Sequence, residues 1–317
     1  MRRILVEQTS NTFIMKRVII LIFIFFSTFS QGFGQKNILL VIADDLGLGP
    51  VPGYLVSGTK ATMPNLSALM TSGLTFDNVW SNPLCSPTRS TILSGKYGFR
   101  TNVLNANSLS QISVNETSLH SFISATHTSS IIGKWHLSGS SNPNPNYPSL
   151  LGIPYYAGLL AGSVQNYNAW NLTINGSTNF NNTYITSTIT DLAINWINAQ
   201  SSPWFCWLAY TAPHTPLHLP PLQMHTQGNL PTDSTSIASN PLPYFLAMTE
   251  SVDYELGRLL DSIAPSILDS TVVIFIGDNG TDGSVIEAPY SPGKSKGSLF
   301  QGGINVPMVI SGQVLHE

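Results

Sequence analysis

Charged residues are scarce in this chain: Asp, Glu, Lys and Arg make up 9% of its 317 residues, against about 25% in typical soluble proteins. The formal net charge is −3, which excludes a nucleic-acid binder that relies on a generally basic surface. Hydrophobic residues nevertheless make up 42% and aromatic residues 10% of the chain, which excludes an intrinsically disordered protein. The length allows a sizeable core in one large domain or two ordinary ones.

Cysteines and long apolar runs are also scarce. Cys85 and Cys206 are the only two cysteines, and two cannot form a disulfide framework. The apolar run at residues 18–26 is shorter than the roughly 20 residues that a membrane-spanning helix needs. The sequence is therefore not typical of a disulfide-stapled fold or of a transmembrane segment.

Residues 1–34 are typical of an N-terminal extension followed by a secretory signal peptide. Lys16 and Arg17 precede the apolar run, and small and polar residues follow it through Gly34. This order of basic, apolar and small-residue segments is that of a cleaved export signal, and an N-terminal membrane anchor is the alternative. We expect a mature chain of residues 35–317 that is periplasmic or extracellular and leaves the membrane after signal cleavage.

Apolar runs of strand length alternate with amphipathic segments along the rest of the chain. The predicted strands lie at residues 37–42, 130–132, 203–210 and 271–276. Three helices are predicted: a short one that begins at Pro64, and two that cover residues 187–199 and 244–263. This alternation predicts an α/β fold, a layered sandwich around a largely parallel sheet.

Polar residues follow each of the four predicted strands directly. They are Asp44, Asp45, Lys134, His136, His214, Asp278 and Asn279. Ligands of open α/β sheets bind at the carboxyl ends of the strands, so these side chains are expected to share one edge of the sheet.

The first and last of these clusters contain only hard oxygen donors. Asp44, Asp45, Asp278 and Asn279 suit Ca²⁺ or Mg²⁺ better than a soft metal. Taken singly, each pair is also a common turn or helix cap. Their position after two buried strands favours a metal site.

Cys85 begins a further segment with a candidate functional role. Pro87 and the helix-forming residues after it place Cys85 at a helix N-terminus, where the helix dipole favours negative charge. The alternatives are a buried structural cysteine or a disulfide bond to Cys206 in an exported protein.

The motif Cys85-x-Pro87-Thr88-Arg89, followed by Leu-Ser-Gly-Lys at residues 93–96, resembles the signature of type I sulfatases. Other segments are similar to sulfatase motifs in the same order, namely Asp44-Asp45, residues 133–137, 212–216, 278–280 and 296–303, and Val306-Pro307. The resemblance covers residues 36–312. It implies an alkaline-phosphatase-like three-layer α/β/α sandwich.

The resemblance also implies a nucleophile and a cofactor. Cys85 would be oxidised by a formylglycine-generating enzyme to formylglycine, whose hydrate attacks the sulfate ester, and Arg89 would keep that hydrate ionised. The implied ligands of Ca²⁺, or of Mg²⁺, are Asp44, Asp45, residue 85 itself, Asp278 and Asn279. The implied reaction is hydrolysis of sulfate esters of exported carbohydrate or of aryl alcohols.

The remaining polar residues receive roles from the same resemblance. Lys134 and Lys296 would bind the sulfate, and Lys296 is preferred over Lys294 only by its match to the Lys-Gly-Ser-Leu motif. His136 would take a proton from the formylglycine, and His214 would protonate the leaving oxygen. The next two histidines of that loop, His218 and His225, are assigned to the substrate rim.

The sequence departs from the family in three places. Thr88 is a variant of the commoner Ser, Gln301 stands where sulfatases usually have Glu, and the chain stops at Glu317, where sulfatases usually continue into a smaller C-terminal subdomain. We therefore interpret residues 35–317 as the N-terminal catalytic domain alone. The alternatives are a phosphate or phosphonate ester hydrolase of the same superfamily and an inactive truncated sulfatase.

Overall fold

A nine-stranded sheet organises the part of the chain that the computed structural model describes, residues 36–107, 110–139, 143–201 and 203–312. The strands are β1 (Asn37–Ala43), β2 (Leu74–Phe76), β3 (Thr128–Gly133), β4 (Tyr156–Gly158), β5 (Trp170–Ile174), β6 (Ser177–Asn181), β7 (Trp204–Ala209), β8 (Thr271–Gly277) and β9 (Met308–Ser311). The signal peptide expected at residues 1–34 lies outside the described residues.

The sheet is parallel in its centre and antiparallel at both edges. The strand order is β2-β9-β8-β1-β7-β3-β4-β5-β6, and the five strands from β8 to β4 run parallel. At one edge β5 and β6 form a hairpin through Asn175 and Gly176, both at positive φ. Asn-Gly is the residue pair that a two-residue hairpin turn favours, so this edge turns antiparallel within the predicted α/β fold.

Helices cover the sheet from both sides. They are α1 (Pro64–Ser72), α2 (Cys85–Ser94), α3 (Gly98–Thr101), α4 (Leu119–Ile123), α5 (Tyr147–Leu150), α6 (Ile185–Asn198), α7 (Ser234–Ser239), α8 (Leu242–Asp261), α9 (Pro265–Leu268) and α10 (Gln301–Ile304). None of the helices within the described residues is long and apolar enough to cross a lipid bilayer.

Strand β1 shows how the two helical layers are held. Leu39 and Val41 pack with residues of α6 and α8 in one core, and Leu40 and Ile42 pack with Leu93 of α2 in the other. A strand buried on both faces does not alternate between polar and apolar residues, which is why β1 is a continuous apolar run in the sequence. The predicted three-layer sandwich is confirmed.

The four predicted strands and three predicted helices are present, with ends that differ by one or two residues. The strands that the sequence did not indicate are short or solvent-exposed. In β6, for example, four of the five residues are exposed. Such strands bury little apolar surface, so they leave no hydrophobic pattern to read.

His120 of α4 is buried in the core that contains Leu93 of α2, and its burial predicts how the free energy of unfolding depends on pH. It lies against Phe205 and Trp207, with ring centroids 5.0 and 6.4 Å away, and neither ring nitrogen has a hydrogen-bond partner among the described residues. Burial lowers the pKa of His120 to about 3. In the unfolded chain this histidine has an ordinary pKa of about 6.5. Below that pH the unfolded chain binds a proton that the folded chain does not bind, so acid favours unfolding.

Replacing this imidazole should remove that part of the acid sensitivity. His120→Phe is expected to reduce the loss of unfolding free energy between pH 8 and pH 5 by about 2 kcal/mol. Urea unfolding of wild type and variant at both pH values measures it. An unchanged pH dependence would show that His120 binds its proton equally well in the folded and the unfolded chain, and would contradict the prediction.

Candidate functional site

The carboxyl ends of β1 and β8 turn together at one edge of the sheet. Ala43 and Gly277 are register partners, so the residues after both strands emerge at the same level. The Asp45 amide donates to Asp278 Oδ1 at 3.1 Å, and the Asp278 amide donates to the Ala43 carbonyl at 3.1 Å. Asp45 adopts a φ of 66°, a left-handed conformation that Asp tolerates better than most residues.

The four oxygen donors that the sequence grouped are brought together and buried. Asn279 Nδ2 donates to Asp45 Oδ1 at 2.8 Å. Asp44 Oδ1 and Asn279 Oδ1 are buried without a hydrogen-bond partner in the described residues. An unsatisfied buried oxygen costs about 1–3 kcal/mol, and a bound cation would remove that cost.

The geometry also allows several of these side chains to bind one metal ion together. Single ligand atoms of Asp44, Cys85 and Asp278 lie within 4.8 Å of one another, and so do those of Asp44, Asp45 and His214. Carboxylate and amide oxygens are the donors that Ca²⁺ and Mg²⁺ prefer. The donor set fits a hard divalent cation.

Three cationic side chains neutralise the three carboxylates. The ion pairs are Arg89–Asp278 at 2.8 Å, Lys296–Asp45 at 2.6 Å and Lys134–Asp44. Buried charges of this kind persist only when they are paired. Because three positive and three negative charges cancel, a divalent cation would leave the site with a net charge of +2, which suits an anionic ligand.

Cys85 begins α2 at the centre of this cluster. Its Sγ lies 3.3 Å from His136 Nδ1, and its side chain is buried. Burial raises the pKa of the Cys85 thiol despite the nearby Lys134 ammonium. An unmodified Cys85 would therefore be a protonated thiol at neutral pH and a poor nucleophile.

Both cysteines are free, so the disulfide alternative does not apply to this structure. Cys206 lies on β7 inside the hydrophobic core. It contacts apolar residues, whereas Cys85 contacts charged ones. Only Cys85 is placed for chemistry.

Arg89 lies one helical turn after Cys85 and connects α2 to the residues that follow strands β8 and β3. Its guanidinium donates to Asp278 Oδ2 from Nε and Nη2, and to the Lys134 carbonyl from Nη1 at 3.0 Å. The spacing of four residues puts the two side chains on the same face of the helix. Arg89 thus fixes the helix N-terminus against the metal-ligand candidates.

His136 faces Cys85 as a neutral imidazole. Its Nε2 donates to the Ala106 carbonyl at 3.0 Å, so Nε2 carries the proton and Nδ1 presents a lone pair to Cys85. Burial, together with the charges of Lys134 and Arg89, lowers the pKa of His136 to about 2. The arrangement lets Nδ1 accept a proton from residue 85.

His214 lies at the solvent-accessible side of the cluster, on the loop after β7. Its side chain is 15% exposed, and that of Lys296 is 16% exposed, while Arg89 and Lys134 are essentially inaccessible. His214 Nδ1 donates to the Thr215 carbonyl at 2.7 Å. The other ring nitrogen, Nε2, therefore points into the site, 3.8 Å from Asp45 Oδ2.

The structure distinguishes the two lysines that competed for the sulfate role. Lys294 lies over the Phe300 ring with Nζ 5.1 Å from its centroid, so Lys296 is the lysine of the site. The rim role expected for His218 and His225 stays a prediction. The His218 ring lies 4.1 Å from the Tyr167 ring, between centroids, and His225 Nε2 is hydrogen-bonded to the Pro220 carbonyl.

Other residues contact the site without a sequence signal. Ser86 Oγ donates to the His136 carbonyl at 2.9 Å. Gly162 approaches the His136 ring so closely that a Cβ there would lie 2.2 Å from Nε2. Both contacts involve the main chain, either of His136 or of Gly162. Such contacts do not require a particular residue type at a fixed spacing, so the sequence does not indicate them.

The sequence profile of sulfatases matches residues 36–313, which span every element described above. The chain belongs to the sulfatase family. The resemblance of the ordered motifs is thereby confirmed. The sulfatase motifs are also the segments that supply the buried cluster.

Two curated sulfatases illustrate the relationship. The chain is 28% identical over 331 residues to the uncharacterized sulfatase YdeN of Escherichia coli, covering 87% of this chain and 57% of that protein. It is 27% identical over 329 residues to human N-acetylgalactosamine-6-sulfatase, covering 89% of this chain and 59% of that protein. The chain thus spans less than two thirds of the length of these sulfatases.

A solved structure gives the same answer for the fold. The chain is similar to Ps i-CgsB in complex with k-i-k-neocarrahexaose, with a TM-score of 0.72 and 24% identity, over 88% of this chain and 66% of that one. This confirms the alkaline-phosphatase-like fold expected for a sulfatase.

Proposed function

We propose that this chain hydrolyses sulfate esters, with residue 85 as the nucleophile after conversion of its thiol to formylglycine by a formylglycine-generating enzyme. The observation that carries the proposal is the placement of Cys85 Sγ 3.3 Å from the lone pair of a neutral His136, inside the buried cluster of paired charges. The raised pKa of the Cys85 thiol supports the conversion, because the unmodified side chain would be a weak nucleophile.

The residues present fit a hard divalent cation. Asp44, Asp45, Asp278, Asn279 and residue 85 would hold Ca²⁺ or Mg²⁺. The cation would supply positive charge that stabilises the sulfate oxygens and the ionised nucleophile.

Residues of the chain bind the substrate and move its protons. Lys134 and Lys296 bind the sulfate, whose negative charge increases as the bond between sulfur and the leaving oxygen breaks. His214, at the exposed side, gives a proton to the leaving oxygen from Nε2 of its doubly protonated ring, since Nδ1–H is held by the Thr215 carbonyl. A formylglycine hydrate offers two hydroxyls on one carbon, so that one attacks sulfur and deprotonation of the other expels sulfate.

His136 completes the cycle by accepting that proton at Nδ1. The hydrogen bond from Nε2 to the Ala106 carbonyl fixes this tautomer, and burial keeps the ring neutral before the step. Arg89 holds the helix that carries residue 85 and adds positive charge beside it.

The proposed substrate is a sulfated carbohydrate or an aryl sulfate met outside the cytoplasm. The fold neighbour solved with a neocarrahexaose supports a carbohydrate. The signal-like pattern at residues 1–34 supports export.

A paired assay tests the reaction class. Wild-type protein, produced with a formylglycine-generating enzyme, is expected to hydrolyse 4-nitrophenyl sulfate with a higher kcat/KM than 4-nitrophenyl phosphate or phenylphosphonate. The leaving groups are matched, so the comparison reports recognition of the transferred group. A preference for either phosphorus ester would replace the proposal by the phosphate or phosphonate ester hydrolase.

Lys296 gives a prediction on sulfate binding. Lys296→Met is expected to lower kcat/KM for 4-nitrophenyl sulfate by about 10- to 100-fold, the usual cost of a lost hydrogen bond to a charged group. Lys294→Met is the matched control, because Lys294 contacts Phe300 outside the cluster and should retain activity within about twofold. Equal losses in the two variants would contradict the assignment of Lys296.

A further inference from the structure

The loop that carries His214 is tied to the core by one tyrosine. The Tyr167 hydroxyl lies 2.6 Å from the His214 carbonyl and 3.1 Å from the Thr211 carbonyl. The Thr211 carbonyl also accepts the His214 amide at 3.0 Å, so Tyr167 contacts both ends of the turn that positions His214.

The position of Tyr167 is itself well determined. Its side chain is almost completely inaccessible, and its ring lies 4.1 Å from the His218 ring and 6.1 Å from the Tyr184 ring, between centroids. Burial raises the pKa of Tyr167 well above 10, so the hydroxyl remains a donor. A rigid buried donor aimed at a main-chain carbonyl can hold that carbonyl in one place.

The same segment also contacts the other histidine. Tyr167 belongs to the connection between β4 and β5, residues 159–169, and Gly162 of this connection lies against the His136 ring. His136 faces residue 85, and His214 faces the exposed side of the site. One connection therefore supports two imidazoles with different tasks.

We infer that Tyr167 is a positioning residue that holds His214 Nε2 at the leaving oxygen through its hydrogen bond to the His214 carbonyl. This inference rests on the proposed function. Tyr167 touches neither the substrate nor the reacting atoms, so its effect passes entirely through His214. A displacement of about 1 Å in a catalytic group can cost up to about 100-fold in rate.

Such a role predicts an effect that depends on the leaving group. An alkoxide is a poor leaving group and needs a proton as it departs, whereas nitrophenolate departs without one. Loss of His214 alignment should therefore slow a sugar or alkyl sulfate and spare an activated aryl sulfate. A general loss of structure would slow both alike.

Tyr167→Phe tests this with two sulfate esters, 4-nitrophenyl sulfate and an alkyl or sugar sulfate that the wild type hydrolyses. The expected result is a kcat at least about tenfold lower on the second ester and within about threefold on the first, with KM nearly unchanged. Equal losses on both esters, or no loss on either, would overturn the inference.

Two variants of the surrounding residues serve as controls. Tyr184→Phe removes a neighbouring hydroxyl that contacts His218 and Ser251 and not the His214 turn, so it should show no dependence on the leaving group. Gly162→Ala pushes the His136 ring, which acts after the leaving group has gone, and should lower kcat on both esters alike.

Amide hydrogen exchange provides a readout that does not need turnover. In Tyr167→Phe the amides of Thr211, Ala212 and His214 are expected to exchange faster than in wild type, and in Tyr184→Phe they are not. Unchanged exchange in Tyr167→Phe would show that the Tyr167 hydroxyl does not hold the turn that positions His214, and would overturn the inference. Failure of the proposed function is distinct, since it would appear as wild-type protein inactive on every sulfate ester, and it would remove the positioning role of Tyr167 with it.

Discussion

Cys85→Ala is expected to abolish sulfate-ester hydrolysis, with kcat/KM for 4-nitrophenyl sulfate reduced by at least about 10⁴-fold. The alanine methyl group cannot be converted to an aldehyde, so no hydroxyl remains to attack sulfur. The charged cluster around residue 85 stays intact, and only the residual rate that binding and electrostatics give should survive.

Cys206→Ala is the matched control for this substitution. Cys206 lies on β7 in the hydrophobic core and contacts no charged residue of the site. Its replacement is expected to cost some stability, about 1 kcal/mol, and to leave turnover within about twofold. A Cys85→Ala variant as active as Cys206→Ala would contradict the role of residue 85.

Removal of the divalent cation should have the second largest effect. Asp44→Asn withdraws a negative charge at the carboxylate whose Oδ1 is buried without a partner. We expect turnover to fall by about 10³-fold, and Ca²⁺ to stop raising the melting temperature of the variant. A chelator should abolish wild-type turnover, and added Ca²⁺ or Mg²⁺ should restore it.

Asp282→Asn separates this effect from a general change of charge. Asp282 is close enough to influence Lys296 and His214 electrostatically, but its carboxylate bonds to Ser284 rather than to the cluster. It should retain metal-dependent stabilisation and most activity. Metal binding that survives in Asp44→Asn would contradict the ligand assignment.

The convergence of the site could be predicted because parallel strands end at one edge of a sheet. Asp44 and Asp278 follow strands that are direct neighbours, and Lys134 and His214 follow the next two strands in the order. The buried strands are continuous apolar runs, and the polar residues begin where these runs stop. Ordinary pattern reading therefore located the strand ends and the residues after them.

What could not be predicted was set by backbone geometry and by tertiary contacts. The left-handed conformations of Asp45 and His136 depend on the turns they occupy. Nothing in the residue order indicated that Gly162 meets His136 or that Tyr167 anchors His214. The ring contacts of His218 with Tyr167 and Tyr184 are likewise tertiary contacts that no residue spacing indicates.

The mass of the peptide that contains residue 85 tests the central claim most directly. Trypsin should release residues 61–89 from protein made with a formylglycine-generating enzyme, and the sequence places a single cysteine in that peptide. We expect a mass that corresponds to replacement of the thiol-bearing CH₂SH group by an aldehyde, and reaction of the peptide with an aldehyde-specific hydrazide. An intact thiol in fully active protein would contradict the formylglycine mechanism, and an intact thiol in inactive protein would favour an inactive member of the sulfatase family.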